Sequence, residues 1–514
     1  WLCGCEVKNA LFCFQCLLFG GDVTWTKDGF RNINKMKEKT EKHKKSKKHV
    51  DNVVLLSLLG TASIKEKLSE AYRLSIYEHN IKVKKNHDIL SEIIDCIFFC
   101  GNFGTPLRGY DEKDDSINLG VFRGLVNFAS KLDSDLKHHK HTYAVFTGVS
   151  KTIQNEILDC LLQIYHEEIR TEIKKASFVA VMADDTTDVS EHTQMVLVLR
   201  YVLNGEIIEH FWGSFIPENQ TADGISKCIL KQLGIILQGN GQKLIAQTFD
   251  GANVMKGKIA GVQAKIKAVY SNAHFIHCYA HQLNLIMRNA ASITRNARIF
   301  ISVFKVNEYI TNFKTAILEL RNSEYCENPS KTLVAEAKEV CDCICVDIMD
   351  RYSSTKHLVA AKLFNKKCFT SFKNEYPTEE IVTTTEAHPM IDKEKLETEL
   401  KVFYCRSDIH EYCTLIELLK FILENNLDDV FSEITELIKI LLTVPMTTSE
   451  ASASDEVMER IKTFLRSTMN SERLNALAVL SMGKNFLSCH PEIKEKITDH
   501  FAQINTLRTG NLNI

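Results

Sequence analysis

Of the 514 residues only three are Trp, at positions 1, 25 and 212. No indole beyond residue 212 can therefore lie flat against a nucleobase. Charge imbalance is missing too: 63 Lys and Arg against 65 Asp and Glu leave a formal net charge of -2. Any attraction to a polyanion must then be local. No apolar run approaches the roughly twenty residues that span a bilayer, which argues against a transmembrane helix. The 17 Cys follow no regular spacing and no secretory signal is evident, so most are expected to be buried thiols in a reducing compartment. A chain that opens on Trp1 rather than Met is expected to continue N-terminally. At this length about three domains are expected.

Two apolar runs organise the middle of the chain. Phe178 to Ala183 ends in Asp184-Asp185-Thr186-Thr187-Asp188, and Leu244 to Phe249 ends in Asp250-Gly251-Ala252. Short apolar runs stopped by polar residues or Gly read as strands buried on both faces. If the two strands are neighbours about 4.8 Å apart, Asp184 and Asp250 bring their carboxylates to one divalent cation. Between them, Met195 to Val202 and Ile207 to Phe215 read as an antiparallel meander around Asn204-Gly205, followed by a helix from Ala222 to Leu237. A helix from Gly257 to Val269, a strand from Phe275 to Tyr279 and a helix from near His281 complete the order β-β-β-α-β-α-β-α. Asp185 and Asp188 are weaker candidates, the latter as a cap of the following turn.

The N-terminal fifty residues read differently. Cys13-x2-Cys16 and His43-x5-His49, with 26 residues between the pairs, supply the four soft N and S ligands of a zinc tetrahedron. The apolar residues between them, Phe19, Trp25 and Phe30 among them, make a core too small to stand without metal. Cys3 and Cys5 are competing candidates. Eight lysines lie between Lys35 and Lys48; Lys42, Lys44, Lys45, Lys47 and Lys48 are the candidate phosphate contacts.

These motifs together resemble the hAT superfamily of DNA transposases, in the branch that includes zinc finger MYM-type proteins. The resemblance rests on Asp184 to Ser190, on Phe249 to Gly257, on Gly261-Val262-Gln263-Ala264 and on His277 to Leu285, and it extends unevenly to about Met482. It implies a TTF-type zinc finger at the N-terminus, and an RNase H-like core in which Asp184 and Asp250 are two members of a Mg-binding acidic triad. It makes Cys3 and Cys5 the less favoured ligands. It also implies that Cys278-x-x-His281 is a structural feature of the core rather than a metal site, and that Ile434 to Met482 is a dimerisation region.

The chain departs from that family twice. The position of the family's third acid, a Glu, falls on Ser452, whose neutral hydroxyl is a poor Mg ligand; Glu450 lies about 200° away around a helix. The family's helical insertion carries a Trp implicated in base stacking, and the corresponding text between about Arg295 and Val340 is short and has none.

The expected fold is α/β, an RNase H-like mixed sheet embedded in a largely helical chain, plus a small N-terminal zinc finger and a C-terminal helical dimerisation region. The expected domains are residues 1–52 (finger), 53–175 (helical), 176–295 (RNase H-like core), 296–433 (shortened helical insertion), 434–490 (dimerisation) and 491–514 (tail). Residues 64–80 and 88–99 read as separate helices within the second of these, Pro106 to Glu112 as a family-like loop, and Thr378 to Pro389 as a polar break. The expected function is that of a domesticated or degenerate transposase-like nuclear protein. It would bind DNA and zinc, pair with itself or with related hAT-derived proteins, and lack membrane and small-molecule partners. The alternative is an active Mg-dependent transposase using Glu450 or Glu456 as third acid.

Overall fold

The computed structural model describes residues 1–58, 70–109, 119–142, 148–187, 193–250, 253–279, 281–282, 341–342, 344–346, 356–406, 412, 414–461 and 469–504. The chain divides into two units, residues 1–88 with 507–514, and residues 89–506.

In the first unit, β1 (Leu2–Cys5) and β2 (Ala10–Cys13) form an antiparallel hairpin whose register sets Leu2 opposite Cys13. Phe30 adds a bridge to Leu11 through two backbone hydrogen bonds of 2.8 and 2.9 Å. Four helices follow: α1 (Phe14–Phe19), α2 (Val23–Thr26), α3 (Met36–Lys44) and α4 (Lys47–Leu58). The break between α3 and α4 falls at Lys45-Ser46, and the Ser46 hydroxyl accepts the His49 backbone N–H at 3.3 Å, as a capping serine does.

Helix α5 (Glu70–Asn102) is continuous for 33 residues, where the sequence reading had two shorter helices; its second half, from Ile89, belongs to the second unit. No Gly or Pro interrupts it before Gly101, so nothing breaks its hydrogen-bond ladder. Helices α6 (Val121–Leu132), α7 (Ser134–Thr142) and α8 (Lys151–Lys175) lead into the sheet.

The sheet has five strands, β3 (Val179–Thr187), β4 (Thr193–Leu203), β5 (Glu206–Phe215), β6 (Leu244–Phe249) and β7 (His274–His277), in the order β5-β4-β3-β6-β7. The first three are antiparallel neighbours; β3, β6 and β7 are parallel. The meander turns at Asn204 and Gly205, whose φ values of 51° and 76° are those of a tight hairpin turn. Helix α9 (Ala222–Leu237) matches its expected span, with Thr221 capping its start. The helix expected from Gly257 to Val269 is instead two pieces, a short turn at Asn253–Lys256 and α10 (Val262–Val269). The Gly257 carbonyl turns back to accept Gly261 N–H at 3.1 Å, and a Cβ on Gly261 would lie 2.5 Å from the Gly257 backbone. The chain there forms a closed loop that only Gly permits.

Helices α11 (Lys366–Asn374), α12 (Thr378–Ala387), α13 (Lys393–Cys405), α14 (Leu415–Glu424) and α15 (Ser432–Thr443) build a second layer whose apolar core, around Leu396, Leu400, Phe403, Leu419, Ile434 and Ile438, is continuous with Ala180, Ile245 and Ala246 of the sheet. Helix α12 replaces the polar break read from Thr378 to Pro389. Glu379 and Glu380 favour its first turn and Ile381 is buried, so packing and helix dipole override the β-branched composition. Helices α16 (Ser449–Ile461), α17 (Ser471–Met482), α18 (Lys484–Cys489) and α19 (Glu492–Ile504) end the described chain.

Consecutive residues of β4 show how the sheet is covered. Arg200 Nε donates to the Leu442 carbonyl of α15 at 3.0 Å, while the Tyr201 hydroxyl donates to Glu172 of α8. Neighbouring strand residues point to opposite faces, so α15 and α8 sandwich the sheet. Helix α17 joins α8 on its side: Asn475 exchanges two hydrogen bonds with the Ser214 backbone, 2.8 and 3.0 Å, and so occupies part of the open edge of β5. Leu474, Leu477 and Ala478, one of the stripes read in the dimerisation region, are buried within this layer. The other stripe runs through residues 462–468, which lie outside the described residues. No described helix is long and apolar enough to cross a membrane.

Candidate metal centre and acidic strand ends

The four zinc candidates converge. Cys13 ends β2, Cys16 sits one turn later in α1, His43 is in the last turn of α3 and His49 in the first turn of α4. All four are buried, and their ligand atoms lie within 4.8 Å of one another. Cys13 Sγ is 3.3 Å from His49 Nδ1, and Cys16 Sγ is 3.5 Å from His43 Nε2 and 3.9 Å from His49 Nδ1. A zinc tetrahedron with bonds of about 2.3 Å to S and about 2.0 Å to N has S···N edges of about 3.6 Å, so the separations fit that ion. Burial pushes the Cys13 thiol up to about 11, and burial lowers the two imidazoles, with each other's charge as a second cause at His43. The histidines are thereby held neutral, the form that ligates, while metal entry must displace the thiol protons. Four protein ligands leave no open position, so the ion's contribution there is structural rather than catalytic.

Support around the cluster escaped the sequence reading. Asn52, one helical turn beyond His49, donates to Cys16 Sγ at 3.4 Å and to the Gly20 carbonyl at 2.7 Å. Trp25 stacks on His43 with ring centroids 4.7 Å apart, and Trp1 meets His49 edge-on at 5.1 Å. The i, i+3 spacing of His49 and Asn52 was the available signal for the first of these. Lys42, Lys44, Lys45, Lys47 and Lys48 are all exposed on α3, α4 and the turn between them.

Asp184 lies inside β3, three residues before its end rather than at it, and Asp250 directly follows β6. The parallel register ends on Met182 opposite Thr248, two residues before Asp184 and Asp250 respectively. Asp184 has the parity of Ala180, whose antiparallel partner is Arg200, so it faces the α15 and α16 side. That side is clamped at the strand ends: Thr248 Oγ1 donates to the Pro445 carbonyl at 3.2 Å, Tyr279 N–H to the Met446 carbonyl at 3.0 Å, and Thr448 N–H and Oγ1 both to Cys278 Sγ at 3.3 Å. Cys278 thus ties the start of α16 to the sheet.

Glu450, the alternative third acid, lies in the first turn of α16. The residue is exposed overall, so only partial desolvation of its carboxyl, with the nearby Glu209 charge, raises it above the usual carboxylate range, and the Arg200 charge opposes. Its charged neighbours are thus on β4 and β5. The side chains of Asp185, Ser452 and Glu456, and all of Asp188, lie outside the described residues, as do residues 295–340 and residues 110–112 of the family-like loop. Among the described residues, Cys13, Cys16, His43 and His49 are the one group of three or more such side chains placed to share an ion, and Mg at Asp184 and Asp250 has no such support. Trp212 is buried, stacked on His166 at 3.9 Å and bonded to Gln232 at 3.2 Å, so it offers no face to a base.

Residues 23–261 match the ZMYM1/FAM200, RNase-like domain family. The mixed five-stranded sheet fits that RNase-like description, and at the family level the match fits a transposase-derived protein of the zinc finger MYM-like kind. The matched span takes in His43, His49, Asp184 and Asp250; Cys13 and Cys16 precede it, and β7 with the later helices follows it. The matched span therefore includes Asp184 within β3 and Asp250 just after β6, and the two histidines of a buried Cys2His2 group that could hold zinc.

Proposed function

We propose that the chain is a domesticated or degenerate hAT-type transposase relative that works in the nucleus as a DNA-binding protein and does not cut DNA. The observation that carries this reading is the closed, buried Cys2His2 cluster held by two helices whose exposed lysines include Lys42, Lys44, Lys45, Lys47 and Lys48. Zinc fixes the angle between those helices, and the lysines gain affinity by releasing phosphate counterions. The finger is of the TTF type in this reading. Residues 434–490 mediate self-association or pairing with related hAT-derived proteins, through surface other than the buried Leu474, Leu477 and Ala478.

The second reading, a Mg-dependent nuclease with Glu450 or Glu456 as third acid, is favoured by one observation, the parallel pairing of β3 with β6, whose last pair precedes Asp184 and Asp250 by two residues each. Two-metal phosphoryl transfer needs a fuller ligand set than this pair. Fluorescence anisotropy with a mixed-sequence duplex separates the readings. The binding protein keeps its DNA affinity on Asp184→Ala and loses it on Cys13→Ser. An affinity indifferent to Cys13→Ser and to the five lysines would defeat the proposal.

A further inference from the structure

The closed loop between the two pieces of the expected helix has a feature that folding alone does not explain. Ile259 at its tip is 96% exposed, flanked by exposed Lys258 and Ala260, with exposed Lys256 at the loop's entry. The loop is held in shape: Met255 is buried beneath it, Gly261 N–H closes it onto the Gly257 carbonyl, and the side-chain amide of Gln263 donates to the Lys256 carbonyl. Gln263 is in turn fixed to the sheet, its carbonyl accepting from Gln247 Nε2 at 3.1 Å. A loop closed by hydrogen bonds thus leaves an isoleucine out in water.

Single exposed apolar residues are ordinary on a protein surface. This one differs in its setting. Between Asn253 and Val269 there are four lysines and no acidic residue, in a chain whose net charge is only -2. Lys265 is paired with Asp223 at 2.7 Å, while Lys256, Lys258 and Lys267 are exposed. The loop also begins six residues after Asp250, which directly follows β6.

We infer that residues 256–259 are a duplex-DNA contact, with Lys256 and Lys258 on backbone phosphates and Ile259 pressed as an apolar wedge against a base step. A wedge of this kind partly unstacks the step it enters, and lysines beside it supply the sequence-independent affinity. The inference deepens the DNA-binding reading and rests on it, but on a different surface from the finger.

The full chain is titrated with short mixed-sequence duplexes, each carrying 2-aminopurine at a different step, over a salt series. Each lost phosphate contact lowers the log–log salt slope by about 0.9, so Lys256→Ala/Lys258→Ala is expected to lower it by about 2. Ile259→Ala is expected to keep the slope, weaken binding a few-fold and abolish the rise in 2-aminopurine fluorescence that the unsubstituted chain produces. All variants are surface changes, and unchanged melting temperatures verify their folding. If the unsubstituted chain binds and the finger-lysine variants weaken it, but the loop variants change neither slope nor fluorescence, the loop inference falls and the DNA-binding reading stands. If the unsubstituted chain binds no duplex, both fall.

Discussion

The N-terminal cluster and the acidic strand ends both gather metal-ligating side chains from segments far apart in sequence, yet they are built to different degrees of completion. In the cluster, four donors come from a hairpin and three helices, all buried, with Asn52 and two tryptophans holding the ligands in place. In the sheet, Asp184 and Asp250 each follow the last β3–β6 pair by two residues, and α16, clamped by Cys278, has its described first-turn acid among Glu209 and Arg200. A fold fixes where a site can be; the ligand count decides what the site can do.

The largest effect expected from breaking this contrast is at the cluster. Cys13→Ser should reduce bound zinc from one ion per chain to none, measured by mass spectrometry under native conditions, and weaken DNA binding by about tenfold or more, because the small unit has little core besides the metal. Zinc retention should also fall as pH drops, since the displaced protons return to the thiols and imidazoles.

The next effect lies in the core of the RNase-like domain. Burial holds His166 down to about 4, with Arg170 assisting and its bond to the Trp212 carbonyl opposing. The unfolded state takes up a proton near pH 6.5 and the folded state only near 4, so stability is fully present above 6.5 and is lost as pH falls through that window. At about 1.4 kcal/mol per unit this reaches about 3 kcal/mol. Melting temperatures at pH 7.5 and 4.5 should differ less for His166→Phe than for the unsubstituted chain. A comparable effect is expected from Asn475→Ala, which strips two buried hydrogen bonds from Ser214 and should cost about 1–3 kcal/mol in chemical denaturation. The smallest effect belongs to the acidic pair: Asp184→Ala should leave duplex affinity within about twofold, since phosphate contacts by lysine carry that affinity.

Much of this was legible in the residues. Apolar runs ending in Asp gave β3 and β6, Asn204-Gly205 gave the hairpin, and paired Cys and His spacings gave the metal group, because each depends on local pattern. What escaped depends on contacts remote in sequence. Helix α12 forms where β-branched composition suggested a break, since its buried Ile381 and its acidic first turn decide the matter. The Gly257–Gly261 closure interrupts an otherwise helical period. The grip of Cys278 on Thr448 joins positions 170 residues apart, beyond any periodicity.

The account turns on whether the acidic pair still cuts. A nicking assay on supercoiled duplex DNA, titrated with Mg and Mn and run on the full chain and on Asp184→Ala, addresses this directly. Binding without nicks at any metal concentration, identical in the two proteins, is the predicted result. Metal-dependent nicks that disappear with Asp184→Ala would contradict it.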